Sequence, residues 1–228
     1  MSTEHTTGAL SLSFLCVALV ACDSSRTVQA QPVAGTVESI SVSGDVGLVE
    51  IVPSRQVRIV QDLRAPEGAV EREERLVDGH LQITTRCKSP VFCSVDTRIM
   101  VPEGVSVDVE MARGEIWATG VGDLDVELGS GTLDLEVVGP LRARVGQGLA
   151  RVESASDQLI RLAVGQGDIE MIVPRSPWQI DVQARESRML GVDRRRQARG
   201  SLELVAPAGR VEVRAVGVPP DSGSPRTP

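Results

Sequence analysis

Apolar positions between residues 105 and 173 recur in register along four successive segments of the chain. The segments start at Val107, Leu124, Leu141 and Ile160, so the period is 17, 17 and then 19 residues. Five apolar columns result, and they are Val107/Leu124/Leu141/Ile160, Val109/Val126/Ala143/Leu162, Met111/Leu128/Val145/Val164, Ile116/Leu133/Ala150/Ile169 and Ala118/Leu135/Val152/Met171. A repeat this short, with apolar and polar residues alternating inside it, indicates stacked coils of β-structure.

A glycine column, Gly114/Gly131/Gly148/Gly167, separates the third apolar column from the fourth. Each coil is therefore predicted to contain two strands of about five residues that meet at a glycine corner. A slip of one residue would turn charged side chains into the core, so the register is well specified. We predict an all-β fold, a parallel β-solenoid of short 17–19-residue coils with flanking strands. An up-and-down antiparallel barrel is the alternative, because the connections over 138–140 and 154–158 are as short as the corners.

The sequence on either side of the repeats also has the character of strands. Asp78-Gly79 lies between apolar runs and predicts a hairpin turn, because both residues tolerate positive φ. The charged residues 65–77 are expected to form a solvated loop or an irregular strand edge. Further strands are predicted at 47–52, 56–60, 81–85, 94–101, 202–206 and 211–216, with a fifth, degraded repeat at 178–182.

The N-terminal apolar stretch Ala9–Ala21 has 13 residues, too few to span a hydrocarbon core of ~30 Å. It suits the apolar region of an export signal. Its end, Leu19-Val20-Ala21-Cys22, resembles a bacterial lipobox, which implies cleavage before Cys22 and a diacylglyceryl group on its sulfur. Residues 1–10 contain no Lys or Arg, which departs from the usual basic start of such signals. A buried strand or helix that merely ends in cysteine is the alternative.

These features divide the chain into four parts: a lipoprotein signal peptide over 1–21, a flexible linker over 22–35, the solenoid domain over 36–217 and a disordered tail over 218–228. Acyl chains on Cys22 would anchor the domain stably, since each buried CH₂ contributes about 0.8 kcal/mol. The expected location is the bacterial cell envelope, and the sequence leaves open whether the membrane is the inner or the outer one.

Charge and composition exclude several classes of partner. Residues 1–21 contain one acidic and no basic residue, so their removal changes the formal net charge from −7 to −6. General nucleic-acid binding needs a basic footprint. Tyr is absent and the other aromatic residues are two Trp and two Phe, so platforms for stacking bases are scarce. We therefore expect no nucleic-acid partner.

Two cysteines, Cys87 and Cys93, remain once Cys16 is assigned to the signal and Cys22 to the lipid. Because the export context is oxidising, we predict a disulfide between Cys87 and Cys93. A metal pair is the alternative, but no second cysteine pair accompanies it and His80 is the only histidine nearby. No metal site and no cofactor are expected.

Catalytic chemistry has little support in the sequence. His80 is the only histidine after the signal, and it follows a turn instead of accompanying a nucleophile and a base. No phosphate-cradling loop of the Gly-x-x-x-x-Gly-Lys-Ser/Thr type is present. Paired carboxylates occur on the faces, as in some polysaccharide-cleaving β-helix enzymes. The long insertions that build a cleft in those enzymes are missing here, so we expect no enzyme.

The outward columns supply the candidate binding residues. One column is Trp117/Asp134/Arg151/Glu170, and a second is Asp108/Asp125/Arg142/Arg161. Opposite charges on neighbouring strands attract weakly, so the simplest interpretation is a solvated, self-neutralising face. The functional interpretation is a flat surface that faces a ligand. The basic residues Arg194, Arg195 and Arg196 form either an exposed polar loop or a contact for anionic lipid or glycan groups.

The corners Gly129-Ser-Gly131, Gly146-Gln-Gly148 and Gly165-Gln-Gly167, with the segment Val101–Val109, resemble the bacterial putative-adhesin or "head GIN" β-repeat family. The resemblance covers about residues 36–216 and implies an envelope-associated β-solenoid, commonly of unknown function. No binding residues carry over from it. Two of the three corners lack the family's Asp, so periodic calcium binding is not expected.

These observations together predict a lipid-anchored, non-catalytic envelope protein that displays its solenoid for adhesion or scaffolding. The expected partners are the membrane, through the N-terminal lipid, and an unidentified envelope protein or glycan. The alternative is a sensory or ligand-binding lipoprotein that recognises an envelope peptide, lipid or glycan.

Overall fold

A computed structural model describes residues 25–33, 35–89 and 92–217 of the 228-residue chain. Its strands are β1 Ser25–Pro32, β2 Ser39–Pro53, β3 Arg58–Ala65, β4 Val70–Val77, β5 His80–Cys87, β6 Ser94–Val101, β7 Ser106–Val121, β8 Leu124–Val137, β9 Leu141–Ser154, β10 Leu159–Val173, β11 Pro177–Leu190, β12 Asp193–Arg194 and β13 Gly200–Ala215. None of the described residues is helical, so no helix capable of crossing a membrane is found among them.

The four predicted repeats are the strands β7 to β10, and each pairs in parallel with the next. All five apolar columns and the glycine column occur in the predicted register. The side chains of the apolar columns are at most 4% exposed. The parallel β-solenoid is therefore confirmed, and the antiparallel alternative is wrong for these strands. Each coil is one long strand bent at the glycine corner, with a first leg before the bend and a second leg after it.

The corners require glycine because adjacent coils approach closely there. Gly131 has φ of 142°, a conformation that other residues rarely adopt. A Cβ atom added to Gly131 would lie 1.7 Å from the carbonyl oxygen of Gly114 on the coil below. The same backbone contact recurs from coil to coil, which explains why the sequence repeats glycine at this position.

An additional coil, β2, precedes the four repeats. It pairs in parallel with β7 and places Gly47 beside Gly114, Ile40 beside Val107 and Val49 beside Ile116. Strands were predicted in this part of the chain, but a coil was not. Residues 54–105 separate β2 from the periodic part of the sequence, so β2 does not continue the period.

The C-terminal coils are stacked out of chain order. β13 pairs with β10, and β11 lies on the far side of β13. The expected repeat at 178–182 thus belongs to the stack, but β13 lies between it and the fourth repeat. Burial gives the reason: Leu202 and Leu204 of β13 are at most 1% exposed between two neighbours, whereas β11 has polar residues around its bend and suits the end of the stack.

An N-terminal cap, formed by β1 and β3 to β6, covers β2. β5 pairs with the first leg of β2, and β6 pairs with its second leg. Antiparallel strands then extend both sheets, β4 beside β5 and β3 beside β6. Asp78 and Gly79 have φ of 49° and 77°, as the predicted hairpin turn requires. Of the two expectations for residues 65–77, the strand edge is correct, since β4 lies at an edge of the sheet.

The flexible linker expected over 22–35 is wrong for residues 25–32, which form β1 and pair antiparallel with β3. A strand at the edge of a sheet can have a polar sequence, because backbone hydrogen bonds to its one neighbour hold it in place and it need not supply an apolar face. The sequence of β1 is polar, and its Arg26 pairs with Asp62 across the ladder at 2.7 Å. The signal peptide over 1–21, Cys22 and the tail over 218–228 lie outside the described residues.

The predicted disulfide between Cys87 and Cys93 is present, with the two Cα atoms 5.9 Å apart. It connects the end of β5 with the residue that precedes β6. It therefore links the cap strand on the first leg of β2 with the cap strand on the second leg. The N–H of Cys87 also donates to Oδ2 of Asp45, in the bend of β2, at 2.7 Å. The disulfide therefore holds the cap at the side where the repeats have their glycine corners.

Candidate binding surfaces

The predicted column Trp117, Asp134, Arg151 and Glu170, here called the Trp117 row, lies on the outer face of the second legs of β7 to β10. All four side chains are exposed. Arg151 Nε donates to Glu170 Oε2 at 3.1 Å, and this pair is the ion pair found within the row. Because both partners are about half exposed, the pair contributes little to stability and leaves both groups accessible.

The row continues onto strands outside the periodic part of the sequence. Glu50 on β2 lies beside Trp117, and Arg98 on β6 lies beside Glu50. Arg98 donates two hydrogen bonds of 2.7 Å to the carboxylate of Glu50. These bonds hold the pKa of Glu50 below its ordinary value. Neither residue was predicted as part of this surface, because their strands do not share the period of the repeats.

Trp117 is the distinctive residue of this face. The residue is 45% exposed and lies in register between Glu50 and Asp134. Farther along the same face is an open depression of about 270 Å³, lined in part by Asp134, Arg151 and Glu170. An apolar ring among fixed carboxylate and guanidinium groups can stack on one part of a ligand and hydrogen-bond another.

The outer face of the first legs separates its charges into two parts. The acidic part consists of Asp108, Glu110, Asp125 and Glu127 on β7 and β8. The basic part consists of Arg142, Arg144 and Arg161 on β9 and β10, of which Arg161 pairs with Glu203 at 2.9 Å. Partial burial, with the nearby carboxylates of Asp125 and Glu110, raises the pKa of Asp108 above its ordinary value.

Arg142 and Arg144 make no side-chain hydrogen bond or ion pair with any residue that the structure describes. They line an open depression of about 420 Å³ together with Arg161, Asp125 and Glu203. Free guanidinium groups are well suited to carboxylate or phosphate ligands, which they bind with paired donors. Arg142 was predicted on an outward column of the repeats, whereas Arg144 was not predicted as a binding residue.

The basic stretch Arg194, Arg195 and Arg196 is exposed, as expected for a polar loop. It lies at the C-terminal end of the stack, where β12 pairs with Pro177 and Trp178 at the start of β11. Arg195 pairs with Asp193 at 2.9 Å. The Trp117 row lies on the second legs, so the structure does not bring these two candidate groups into one site.

His80 contacts a serine hydroxyl at each ring nitrogen, Ser39 Oγ at 2.8 Å and Ser41 Oγ at 3.1 Å. These contacts were not predicted. No carboxylate is hydrogen-bonded to the ring among the described residues, and the three side chains lie on an open face. The arrangement lacks the orienting carboxylate that a Ser–His–Asp catalytic triad uses. The described residues also contain no cluster of three or more metal-ligating side chains.

Comparison with known proteins finds similarity among solved structures alone. No family model matches it, and no curated protein matches it. Among solved structures it is similar to a putative cell adhesion protein from Clostridium sporogenes, with 13% identity and a TM-score of 0.49, over 84% of this chain and 100% of that one. It is also similar to putative adhesins from Parabacteroides distasonis (14%, TM-score 0.28, 86% and 98%) and Bacteroides fragilis (12%, TM-score 0.28, 84% and 97%). These similarities, with TM-scores below 0.5, give no information on function. The fold is assigned from the strand registers described above.

Proposed function

We propose that this protein is a lipid-anchored, non-catalytic protein of the bacterial envelope that displays its solenoid for adhesion or scaffolding. The observation that carries the proposal is the exposed Trp117 on an outer face, with the carboxylates of Glu50 and Asp134 on either side. Tryptophan is enriched among the residues that contribute most of the binding energy at recognition surfaces.

The chemistry of this face suits a glycan or a polar protein surface. The C–H faces of a sugar ring are apolar and can stack on indole, while its hydroxyl groups can bond to carboxylates and guanidinium groups. Glu50, held by Arg98, and Glu170, held by Arg151, are already oriented before a ligand arrives. Pre-oriented side chains reduce the entropy lost on binding.

The stack of coils supports a display role. A solenoid in which each coil contacts its neighbours presents an extended and rigid face. The depressions described above are open to solvent, which suits contact with a large partner. The chain is expected to reach the membrane through a lipid on Cys22.

Attachment assays with variants at Trp117 test the contact surface. Cells that present Trp117→Ala should attach less well to envelope glycans or partner cells than cells with the unchanged chain, whereas Trp117→Phe should keep most of the attachment. Both variants should melt at the temperature of the unchanged chain, since surface substitutions alter stability by about 0.5 kcal/mol or less. Equal attachment by all three chains would contradict the proposal.

Fractionation of a Cys22→Ala variant in the native host tests the anchor. The unchanged chain should be found with the membrane, and the variant should be found in the soluble fraction. A variant that stays as membrane-bound as the unchanged chain would remove lipid anchoring from the proposal and leave the contact surface to its own test.

The second candidate function is a ligand-binding lipoprotein, and the pair Arg142 and Arg144 favours it. Their free guanidinium groups in a depression of about 420 Å³ suit a small anionic ligand. Calorimetric titration with inorganic phosphate and with a sugar phosphate is the test. Binding that disappears in Arg142→Ala with Arg144→Ala, but not in Trp117→Ala, would favour this candidate.

A further inference from the structure

The outer edge of β11 is the open end of the coil stack. Residues 178–190 pair with β13 on one side, apart from one bulge. On the other side, the described residues provide only β12, which pairs with Pro177 and Trp178. The edge from Gln179 onward therefore has no strand partner in the part of the chain that the structure describes.

Backbone geometry shows which groups face this edge. The carbonyl oxygen of Trp178 accepts a hydrogen bond of 2.9 Å from the N–H of Arg195, so Trp178 directs its backbone groups outward. In a strand, backbone groups of alternate residues point to the same edge. Because the register from Trp178 to Ala184 is continuous, Ile180 and Val182 also present their N–H and C=O groups there.

The apolar row of this coil is incompletely covered. Ile180 and Val182 lie beside Leu202 and Leu204, which are 1% and 0% exposed. Ile180 and Val182 themselves are only partly buried, because no coil follows them. A strand added at this edge would cover Ile180 and Val182. The same strand would form hydrogen bonds with the free backbone N–H and C=O groups of these residues.

The charge around the edge selects for an acidic partner. Residues 177–200 contain six arginines and three acidic residues, in a chain whose formal net charge is −7. Arg185, Arg194 and Arg196 make no side-chain ion pair or hydrogen bond among the described residues. Arg194 and Arg196 line an open depression of about 480 Å³ together with Trp178 and Ile180, at the start of the free edge.

We infer that the outer edge of β11 is a docking site for an extended, acidic polypeptide strand of another protein, which adds to the first leg as a further strand. The partner segment has apolar residues at alternate positions, which cover Ile180 and Val182. Acidic residues at its end lie in the depression lined by Arg194 and Arg196. This site lies at the end of the stack and is separate from the Trp117 row, so it goes beyond the proposed function.

Two other occupants fit less well. A second copy would bring its own arginine-rich edge to this one, and two edges with an excess of positive charge repel each other. The chain's own residues 218–228 contain prolines at 219, 220, 225 and 228, which cannot donate to a ladder.

Fluorescence anisotropy with labelled synthetic peptides and the purified full chain tests the inference. The probe is Asp-Glu-Ile-Thr-Val-Thr-Val, and its controls replace the two acidic residues with lysine or the first valine with proline. The acidic probe should bind, with weaker binding at higher salt, and each control should bind at least about tenfold more weakly.

Variants locate the binding. Arg194→Glu with Arg196→Glu should weaken the acidic probe about tenfold or more. Arg55→Glu with Arg58→Glu, the same charge change at two exposed arginines near the N-terminal cap, should alter it by less than about threefold. Val182→Pro removes one N–H from the free edge and should abolish binding, and Val182→Ala should reduce it less. Melting curves and circular dichroism should show that each variant is folded.

Four outcomes would overturn the inference. The first is binding of the lysine probe as tightly as the acidic one, and the second is unchanged binding by a folded Val182→Pro variant. The third is reversible self-association in sedimentation velocity that Val182→Pro removes, which would assign the edge to a second copy. Absence of binding by the acidic probe at millimolar concentration would also count against it. None of these results affects the attachment assay on Trp117.

Discussion

The N-terminal end of the coil stack is covered by five strands, whereas at the C-terminal end the described residues provide only the two-residue β12, on part of the edge. Both ends must solve the same problem, since a terminal coil has one neighbour and exposes one edge. At the N-terminal end, antiparallel strands and a disulfide close the core. At the C-terminal end, Ile180 and Val182 stay partly exposed.

The difference between the two ends shows which end has free backbone groups that can bind a partner. The cap pairs with both legs of β2, and Ile83 on β5 and Ile99 on β6 are fully buried. The far end instead combines backbone groups and arginines (Arg185, Arg194 and Arg196) that have no partner among the described residues with partly covered apolar side chains. Natural proteins usually protect such edges, so an edge left in this state is suited to a partner.

The largest expected effect comes from placing a charge at an inward-facing isoleucine in each end of the stack, Ile83 in the cap and Ile180 at the far end. Ile83→Asp in the cap should destabilise the protein by several kcal/mol, because it buries an unpaired carboxylate. Ile180→Asp should cost about 1 kcal/mol or less, since that position is reached by water. Denaturant unfolding measures both values. Similar losses for the two variants would show that the C-terminal end is as well covered as the cap.

The disulfide should stabilise the cap and not the far end. Cys87→Ala with Cys93→Ala should lower the free energy of unfolding by about 2–3 kcal/mol, according to the loop-entropy account of disulfides. Hydrogen exchange read by mass spectrometry should show faster exchange over β5 and β6, with no change over β11. Faster exchange over β11 as well would mean that the two ends unfold together.

A buried polar pair inside the cap is expected to cost stability. Gln61 is fully buried, and its Nε2 donates to Thr97 Oγ1 at 3.2 Å, while its Oε1 has no partner in the structure. Replacing both with Gln61→Leu and Thr97→Val should be neutral or stabilising by about 1 kcal/mol. Thr97→Val alone should be destabilising, because it leaves the amide of Gln61 without its acceptor. Thermal melts of both variants against the unchanged chain measure the difference, and a stabilised single variant would contradict this account.

The smallest effect is a dependence on pH with opposite signs at two carboxylates. The folded-state pKa of Asp108 is raised, by burial first and then by Asp125 and Glu110. Its contribution to stability is therefore present at pH values below its ordinary pKa of 3.8 and is lost as the pH rises through the folded-state pKa. Asp108→Asn should melt slightly higher than the unchanged chain at pH 7 and equally at pH 3.

Glu50 should behave in the reverse way. Its folded-state pKa is lowered by Arg98, so its contribution is present above the ordinary value of 4.5 and is lost as the pH falls through the folded-state pKa. Glu50→Gln should melt lower at pH 7, and the difference should shrink in acid. A melting difference that does not change with pH for either variant would refute these assignments.

The sequence predicted the repeats well because burial is periodic. Each inward position of β7 to β10 needs an apolar residue, and each corner needs glycine where a Cβ atom would meet the neighbouring backbone. The hairpin at Asp78-Gly79 and the disulfide could also be predicted from short stretches of sequence. The hairpin depends on two adjacent residues with positive φ, and the disulfide joins cysteines with a sequence separation of 6. The candidate surface was predicted only in part, because Glu50 and Arg98 join the Trp117 row through strands that do not share its period.

By itself, the sequence determined the parallel solenoid, its register and the inward and outward faces of the four periodic coils. These follow from the alternation of side chains along each strand and from the steric demand at the corners. Only the tertiary structure decided that β2 is a coil, that β13 is inserted between β10 and β11, and that residues 25–32 form an edge strand. These choices depend on which backbone edges meet in space, and pairing between strands distant in the chain leaves no period in the sequence.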